Sequence, residues 1–178
     1  MKSLLQTRDW NTFGKNMLSI KVFLDTNVLI DILSTGRRPS TDYSDRIFQE
    51  IRNLRLEGVI SIQSIVDASY IFRHDNESLD LFRDRILRIR NYVNLEPLDS
   101  SDLQDALLSG QSDFEDELQY FHAESVGCDY FITSDKKLKS RHTNTGMQFC
   151  TPEEFVSILE GLPLQQCPAY SLTHQRGL

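Results

Sequence analysis

Apolar residues along this chain come in short dense runs, separated by stretches in which they recur every third or fourth position. The densest run is 20–31, IKVFLDTNVLID, apolar through Val22, Phe23 and Leu24, acidic at Asp25, and apolar again at Val28, Leu29 and Ile30. A β-branched and aromatic run followed by Asp-Thr-Asn predicts a buried strand that ends at a helix start. The helix spans 27–33, with Thr26 or Asn27 as its cap. A loop rich in Gly, Pro and Ser follows at 34–40. Between 41 and 56, Ile47, Ile51 and Leu54 stand at helical spacing, with Gly58 as the stop and Val59-Ile60-Ser61 as a second strand. Ser61 caps a third helix carrying Ile65, Val66, Ala68, Ile71 and Phe72.

After a polar break at 74–78, Leu79, Phe82, Ile86 and Ile89 mark an amphipathic helix, and 92–95 form a third strand. Ser100 or Ser101 opens a short helix that Gly110 ends. Ser112 caps another, with Phe114, Leu118 and Phe121 on one face and Asp113, Asp116 and Tyr120 on a second. Gly127 closes it. Tyr130 to Thr133 form a fourth buried strand ending at Ser134-Asp135, and a basic loop follows (Lys136, Lys137, Lys139, Arg141, His142). A last strand at 147–149 and a helix over 151–159 complete the pattern.

Strands alternating with helices predict an α/β fold with a mostly parallel sheet of four to five strands and helices on both faces. Right-handed crossovers then bring strand C-termini and helix N-termini to one edge. The 178 residues suit a single domain, expected over 19–160. Residues 161–178 read as a weakly ordered tail. Residues 1–18 read either as an extension preceding a start near Met17 or as a short packing helix over 3–11.

Composition narrows the class. A hydrophobic share of 39% with 10% aromatic residues is that of a globular protein. A net charge of −7 and a pI of about 5.1 argue against a general polyanion binder, while leaving room for a local basic patch or bound cations. Cys128, Cys150 and Cys167 are widely spaced and form no CxxC pair, the usage of reduced thiols in a cytoplasmic protein. No run reaches the roughly 18 apolar residues of a membrane span, and no signal-peptide core opens the chain, so no membrane is expected.

Four acids stand where that topology converges. Asp25 and Asp135 end buried strands, where it either caps a helix or faces a ligand crevice in the case of Asp25. Asp67 lies among apolar neighbours on the third helix, and Asp116 on the 112–127 helix, with Asp113 just upstream. Converging carboxylates repel one another and raise each other's pKa unless cations intervene. An all-oxygen donor set suits Mg²⁺ or Mn²⁺, and zinc is disfavoured without a His or Cys cluster. The reaction served by such a site is in-line phosphodiester hydrolysis.

These residues carry a resemblance. Leu24-Asp25-Thr26-Asn27 with Val28-Leu29, the 113–119 segment DFEDELQ, and the 130–135 segment YFITSD resemble the PIN-domain ribonucleases, and within them the VapC-type toxins of bacterial toxin–antitoxin pairs. The likeness runs from about 19 to 159 and implies a three-layer α/β/α PIN-like fold. It implies that Asp25, Asp116 and Asp135 are metal-site and catalytic acids, with Asp113 assisting. Asp67 stands where the family usually has Glu, one methylene longer. Thr26, Asn27 and Ser134 would orient ligands or waters. Arg37, Arg38, Lys136, Lys137 and Lys139 are the candidates for RNA phosphate contact. A single-stranded or looped RNA substrate, a small antitoxin partner and a homodimer follow from the same likeness.

Two other readings compete. One is a PIN module that binds RNA or protein without cutting, for which the Asp at 67 and the acidic charge speak. The other is a haloacid-dehalogenase-type phosphohydrolase, which normally needs an acid two residues after the strand-end Asp, where this chain has Asn27. Histidines offer no rival constellation: His122 reads as packed or surface, and His74, His142 and His174 fall in loops.

Overall fold

The computed structural model describes residues 20–75, 77–142 and 145–162. The expectations for 1–18 and for the tail beyond 162 lie outside the described residues. Five strands, β1 (Ile20–Leu24), β2 (Leu56–Ser61), β3 (Val93–Glu96), β4 (Tyr130–Ile132) and β5 (Gln148–Cys150), form one sheet in the order β3-β2-β1-β4-β5. Every pairing is parallel. The helices are α1 (Thr26–Leu33), α2 (Thr41–Arg52), α3 (Ile62–His74), α4 (Leu79–Ile89), α5 (Ser100–Ser109), α6 (Phe114–Ser125), α7 (Lys136–Arg141) and α8 (Pro152–Gly161).

Alternation along the strands divides the core into the two faces of an α/β/α sandwich. Val22, Leu24, Ile60, Ile132 and Cys150 point into one cluster, which α1 to α4 and α8 cover with Leu29, Ile47, Phe72, Phe82 and Phe155. Phe23, Val59, Phe131 and Phe149 point the other way, against Tyr120 and Ala123 of α6 and Leu138 of α7. Helix α5 reaches the sandwich through α6, on which it packs. The three-layer α/β fold expected from the sequence is thus observed, with all five strands parallel. Among the described residues no helix is long and apolar enough to cross a membrane. Cys128 and Cys150 are free and buried, and burial raises their thiols to about 12 and about 11.

Several boundaries differ from the sequence expectation, each for a local reason. Gly58 does not stop a helix; it lies inside β2, where a Cβ would stand 2.6 Å from Ile51 Cδ1. Helix α2 ends earlier, and Leu54 makes the turn with φ +60°. Asp99, not Ser100 or Ser101, caps α5, in a capping box with Asp102. Asp113, not Ser112, caps α6. Neither Thr26 nor Asn27 caps α1: Asp25 occupies the cap position, yet its side chain makes no capping bond. The expected basic loop after Asp135 is helical, because Asp135 accepts the N–H groups of Lys137 and Leu138 and so starts α7.

Strand order reverses between β1 and β4. The chain builds outward from β1 through β2 to β3, then crosses back to place β4 on the other side of β1. A crevice at the carboxyl ends of β1 and β4 follows from that switch, and Asp25 and Asp135 flank it.

Candidate active site

Asp25 leaves β1 at the sheet edge, 4% exposed, with its N–H bonded to Ile132 O of β4 at 3.1 Å. Because its carboxylate does not cap α1, it is free to turn toward β4, where Thr133 Oγ1 donates to Asp25 Oδ2 at 2.7 Å. The same hydroxyl oxygen accepts the Asp135 N–H at 2.9 Å. Thr133 thus pins the two strand-end acids to one another. Burial raises the Asp25 pKa to about 6, and Asp116 adds to the rise. Thr133, the Thr26 N–H and the Asn27 side chain oppose it.

Helix α6 supplies the densest acid group. Asp113 caps it by accepting the Asp116 N–H at 3.5 Å, and Glu115, Asp116 and Glu117 fill its first turn, where the helix dipole favours negative charge. Partial desolvation, then Asp67, Asp25, Asp116 and Asp113, push Glu115 to about 7. Asp116 is also raised, by desolvation and by Asp113 and Asp135, against the pull of Arg141. The electrostatic contacts chain together Asp67, Glu115, Asp25, Asp116 and Asp135, from two helices and two strand ends.

Asp67 on α3 accepts from Gln63 Nε2 at 2.9 Å, and its Oδ2 is buried without a hydrogen-bond partner. An orphaned carboxylate oxygen beside a crowd of like charges is a poor arrangement in isolation and a good one for a cation. The donors are all carboxylate oxygens, the set that hard Mg²⁺ or Mn²⁺ takes. Chemically the residues fit such an ion. As the side chains stand, though, no three carboxylate, imidazole or thiol groups among the described residues are close enough to share one. Arg141 Nη2 lies instead 2.6 Å from Asp116 Oδ2.

That guanidinium was not among the residues expected to act. It also reaches Glu117, which is 1% exposed, with Nε at 3.5 Å from Glu117 Oε1. His142 Nε2 bonds the same carboxylate oxygen at 3.1 Å, with its ring stacked 3.7 Å from that of Tyr120. Tyr120 therefore faces the core and not the acids, contrary to the shared face read from its spacing. Glu115, Thr133, Gln119 and Arg141 are the site groups that sequence reasoning passed over; the first three lie within the motif segments, where their spacing alone gave no role.

The remaining expected residues divide. Thr26 is buried and accepts from Gln119 Nε2 at 3.3 Å. Ser134 is exposed, and Thr133 makes the contact with Asp25 in its place. Lys136 and Lys137 are exposed at the start of α7, next to Asp135, and their ammonium groups make no ion pair among the described residues. Lys139 grips Glu154 of α8 at 2.6 and 2.7 Å. Arg37 and Arg38 are not brought to the acids. They follow α1, whose eight residues carry them roughly 12 Å along its axis from Asp25. There Arg37 pairs with Asp42, and Arg38 stands 4.0 Å from Asp31. His122 is packed, as expected, with Nδ1 2.7 Å from Asp102 Oδ2.

Comparison with known proteins agrees with the α/β fold. The profile of the family described as PIN domain matches residues 21–137. Ribonuclease VapC1 of Aquifex aeolicus (strain VF5) is 28% identical over 144 residues, covering 78% of this chain and 95% of that protein. The fold is similar to that of Mycobacterium tuberculosis VapC20, a sarcin–ricin loop cleaving toxin, with a TM-score of 0.56 at 11% identity over 68% of this chain and 95% of that one. It is also similar to a toxin–antitoxin complex from Klebsiella pneumoniae, with a TM-score of 0.53 at 16% identity over 74% and 97% of the two chains.

Proposed function

This chain belongs to the PIN-domain family, and we propose that it is a metal-dependent endoribonuclease, the toxin of a toxin–antitoxin pair. The observation that carries this reading is the run of electrostatically coupled carboxylates at the switch point between β1 and β4. The likeness to Ribonuclease VapC1 supports RNA as the substrate, and the likeness to a toxin–antitoxin complex supports a small antitoxin partner. Action in the cytoplasm and a homodimeric state belong to the same reading.

Asp25, Asp67, Asp116 and Asp135 would hold Mg²⁺ or Mn²⁺, with Asp113 assisting. When bound, the cation supplies Lewis-acid stabilisation of the charge that develops on the phosphate oxygens. Thr133 keeps Asp25 and Asp135 in register, as the expected supports Thr26 and Asn27 do for Asp25 from the start of α1. Glu115 stands at the crevice among these acids, where burial and the neighbouring carboxylates favour its protonated form in the metal-free protein. Lys136 and Lys137, exposed beside Asp135, would meet the RNA backbone; Lys139 would do so only on leaving Glu154. A contact from Arg37 or Arg38 would require RNA that extends well beyond the crevice.

One observation favours a second reading, a PIN module that binds without cutting: Arg141 already neutralises Asp116. Incubating purified protein with a mixed RNA panel, in Mn²⁺ or EDTA, separates the two. Metal-dependent cutting by the wild type that is lost in Asp25→Asn is the expected result. Equal activity of both proteins would mark a contaminant and overturn the site. An inactive wild type that binds no Mn²⁺ would favour the binding module.

A further inference from the structure

Gln119 is a long polar side chain buried in the interior. It is 2% exposed on α6, one turn beyond Glu115 and Asp116. A buried amide without partners is costly, so its hydrogen bonds reveal what the surrounding chain has been arranged to supply. Its Nε2 donates to Thr26 Oγ1 at 3.3 Å and to Glu115 Oε1 at 3.4 Å. Its Oε1 accepts from Ser64 Oγ at 3.3 Å. Ser64 is itself fully buried and held at 2.8 Å by Ser61 Oγ, the residue that caps α3.

Each of these partners adjoins an acid. Thr26 follows Asp25 in the chain. Ser64 lies three residues before Asp67, which places the two on the same side of α3. Glu115 and Asp116 sit four and three residues before Gln119 on its own helix. One amide therefore touches α1, α3 and α6, the three helices that carry or adjoin Asp25, Asp67 and Asp116. The direct electrostatic effect of those acids on one another is repulsive, so something other than their own contacts must keep the helix starts together.

We infer that Gln119 is the positioning residue of the acid cluster: a buried amide clasp that sets the separation of Asp25, Asp67 and Asp116 before any cation binds. The inference rests on the metal-dependent reading of the site. It assigns Gln119 no contact with substrate. Its effect passes through Thr26 and Ser64, whose hydroxyls it holds.

The test uses the full chain and Mn²⁺ alone as the probe, followed by electron paramagnetic resonance of the free ion, beside cleavage kinetics on an RNA that the wild type cuts. Gln119→Met keeps volume and removes every polar contact. It is expected to weaken Mn²⁺ binding about tenfold or more, the scale typical of groups that orient metal ligands, and to lower kcat while KM stays within about twofold. Ser64→Ala, a smaller cut in the same network, should weaken Mn²⁺ binding in the same direction, and the double variant should bind no worse than Gln119→Met alone. Unchanged Mn²⁺ affinity in a folded Gln119→Met protein would overturn the inference while leaving the nuclease reading intact. If Gln119→Met does not fold, Ser64→Ala decides, and unchanged affinity there is equally fatal. A wild type that neither binds Mn²⁺ nor cuts RNA overturns the nuclease reading and the clasp with it.

Discussion

Arg141 and Asp116 meet at 2.6 Å, across 25 residues of sequence, with both side chains about one-fifth exposed. The contact joins the end of α7 to the first turn of α6. Asp135 makes it possible, since by starting α7 it winds the chain so that Arg141 returns toward the acids. Arg141 and His142 together cover the buried Glu117, which no other cation reaches among the described ion pairs. The basic segment after β4 is therefore partly a structural counter-charge, and among the described residues only its first two lysines make no ion pair.

Replacing Arg141 by Gln should expose that role. Leaving one buried and one partly buried carboxylate with a single histidine beside them costs about 2–4 kcal/mol, somewhat below the range for a fully buried pair. Urea denaturation in EDTA should show the loss. Mn²⁺ should raise the Tm of Arg141→Gln by more than that of the wild type, because the ion then meets no competitor at Asp116. A loss under about 0.5 kcal/mol with the same Mn²⁺ response would show the pair to be incidental.

Asp25 gives a pH signature with a definite sign. Its folded pKa of about 6 lies above the ordinary value of 3.8, so the metal-free native state binds this proton more tightly than the unfolded chain does. The stability it confers is fully present below the ordinary value and is lost as pH rises through about 6. Two units correspond to at most about 3 kcal/mol. Asp25→Asn cannot ionise and keeps the shape. In EDTA at pH 7.5 it should be more stable than the wild type by about 1–3 kcal/mol, with the gap closing by pH 4.5. Denaturation curves at the two pH values check this, and a variant less stable at pH 7.5 would refute it.

How much of this was legible before the structure depends on the kind of signal. The acids at strand ends could be read because a charge terminating an apolar run is a local pattern, and Asp25 and Asp135 were found that way. Ser61 was legible as a cap because a hydroxyl residue closing an apolar run is likewise a local pattern, and its Oγ accepts the Ser64 N–H at 2.9 Å. Gln119, Thr133 and Arg141 act through partners 93, 108 and 25 residues away, and no local pattern encodes those pairings. Asp99 and Asp113 displaced the neighbouring serines as caps because several capping residues stand side by side there, and only backbone geometry chooses between them. Arg37 and Arg38 were grouped with the site by charge alone, which carries no information on which end of α1 they occupy.

Gly58 illustrates the limit most simply, since glycine marks both helix ends and close approaches. Here Ile51 packs against it, so Gly58→Ala pushes a methyl group to 2.6 Å from Ile51 Cδ1 inside a closed core. Overpacking of this size costs about 1–3 kcal/mol. Ile51→Val should recover part of that loss when combined with it, as a double-mutant cycle by urea denaturation would measure. Strict additivity of the two changes would show that the glycine is retained for another reason.

Thr133 supplies the sharpest link between a single atom and the chemistry. Its hydroxyl is the largest influence holding the Asp25 pKa down against burial, and it also receives the Asp135 N–H. Thr133→Val keeps the volume and removes both contacts. Without the donor, the charged form of Asp25 loses a hydrogen bond worth about 1.5–3 kcal/mol, so its pKa must climb further above 6. Activity at neutral pH should fall about 10–100-fold, as is usual when a group orienting a metal ligand is lost. The fall should be partly recovered at pH 8.5, where Asp25 is again ionised. Thr133→Ser retains the hydroxyl and should keep its acid limb close to that of the wild type. Carbon-13 NMR titration of the Asp25 carboxyl, in metal-free protein, measures the shift directly. A carboxyl that titrates at the same pH in Thr133→Val as in the wild type would mean that the hydroxyl does not set the charge of Asp25, and any loss of activity would then lie in the backbone of the strand end.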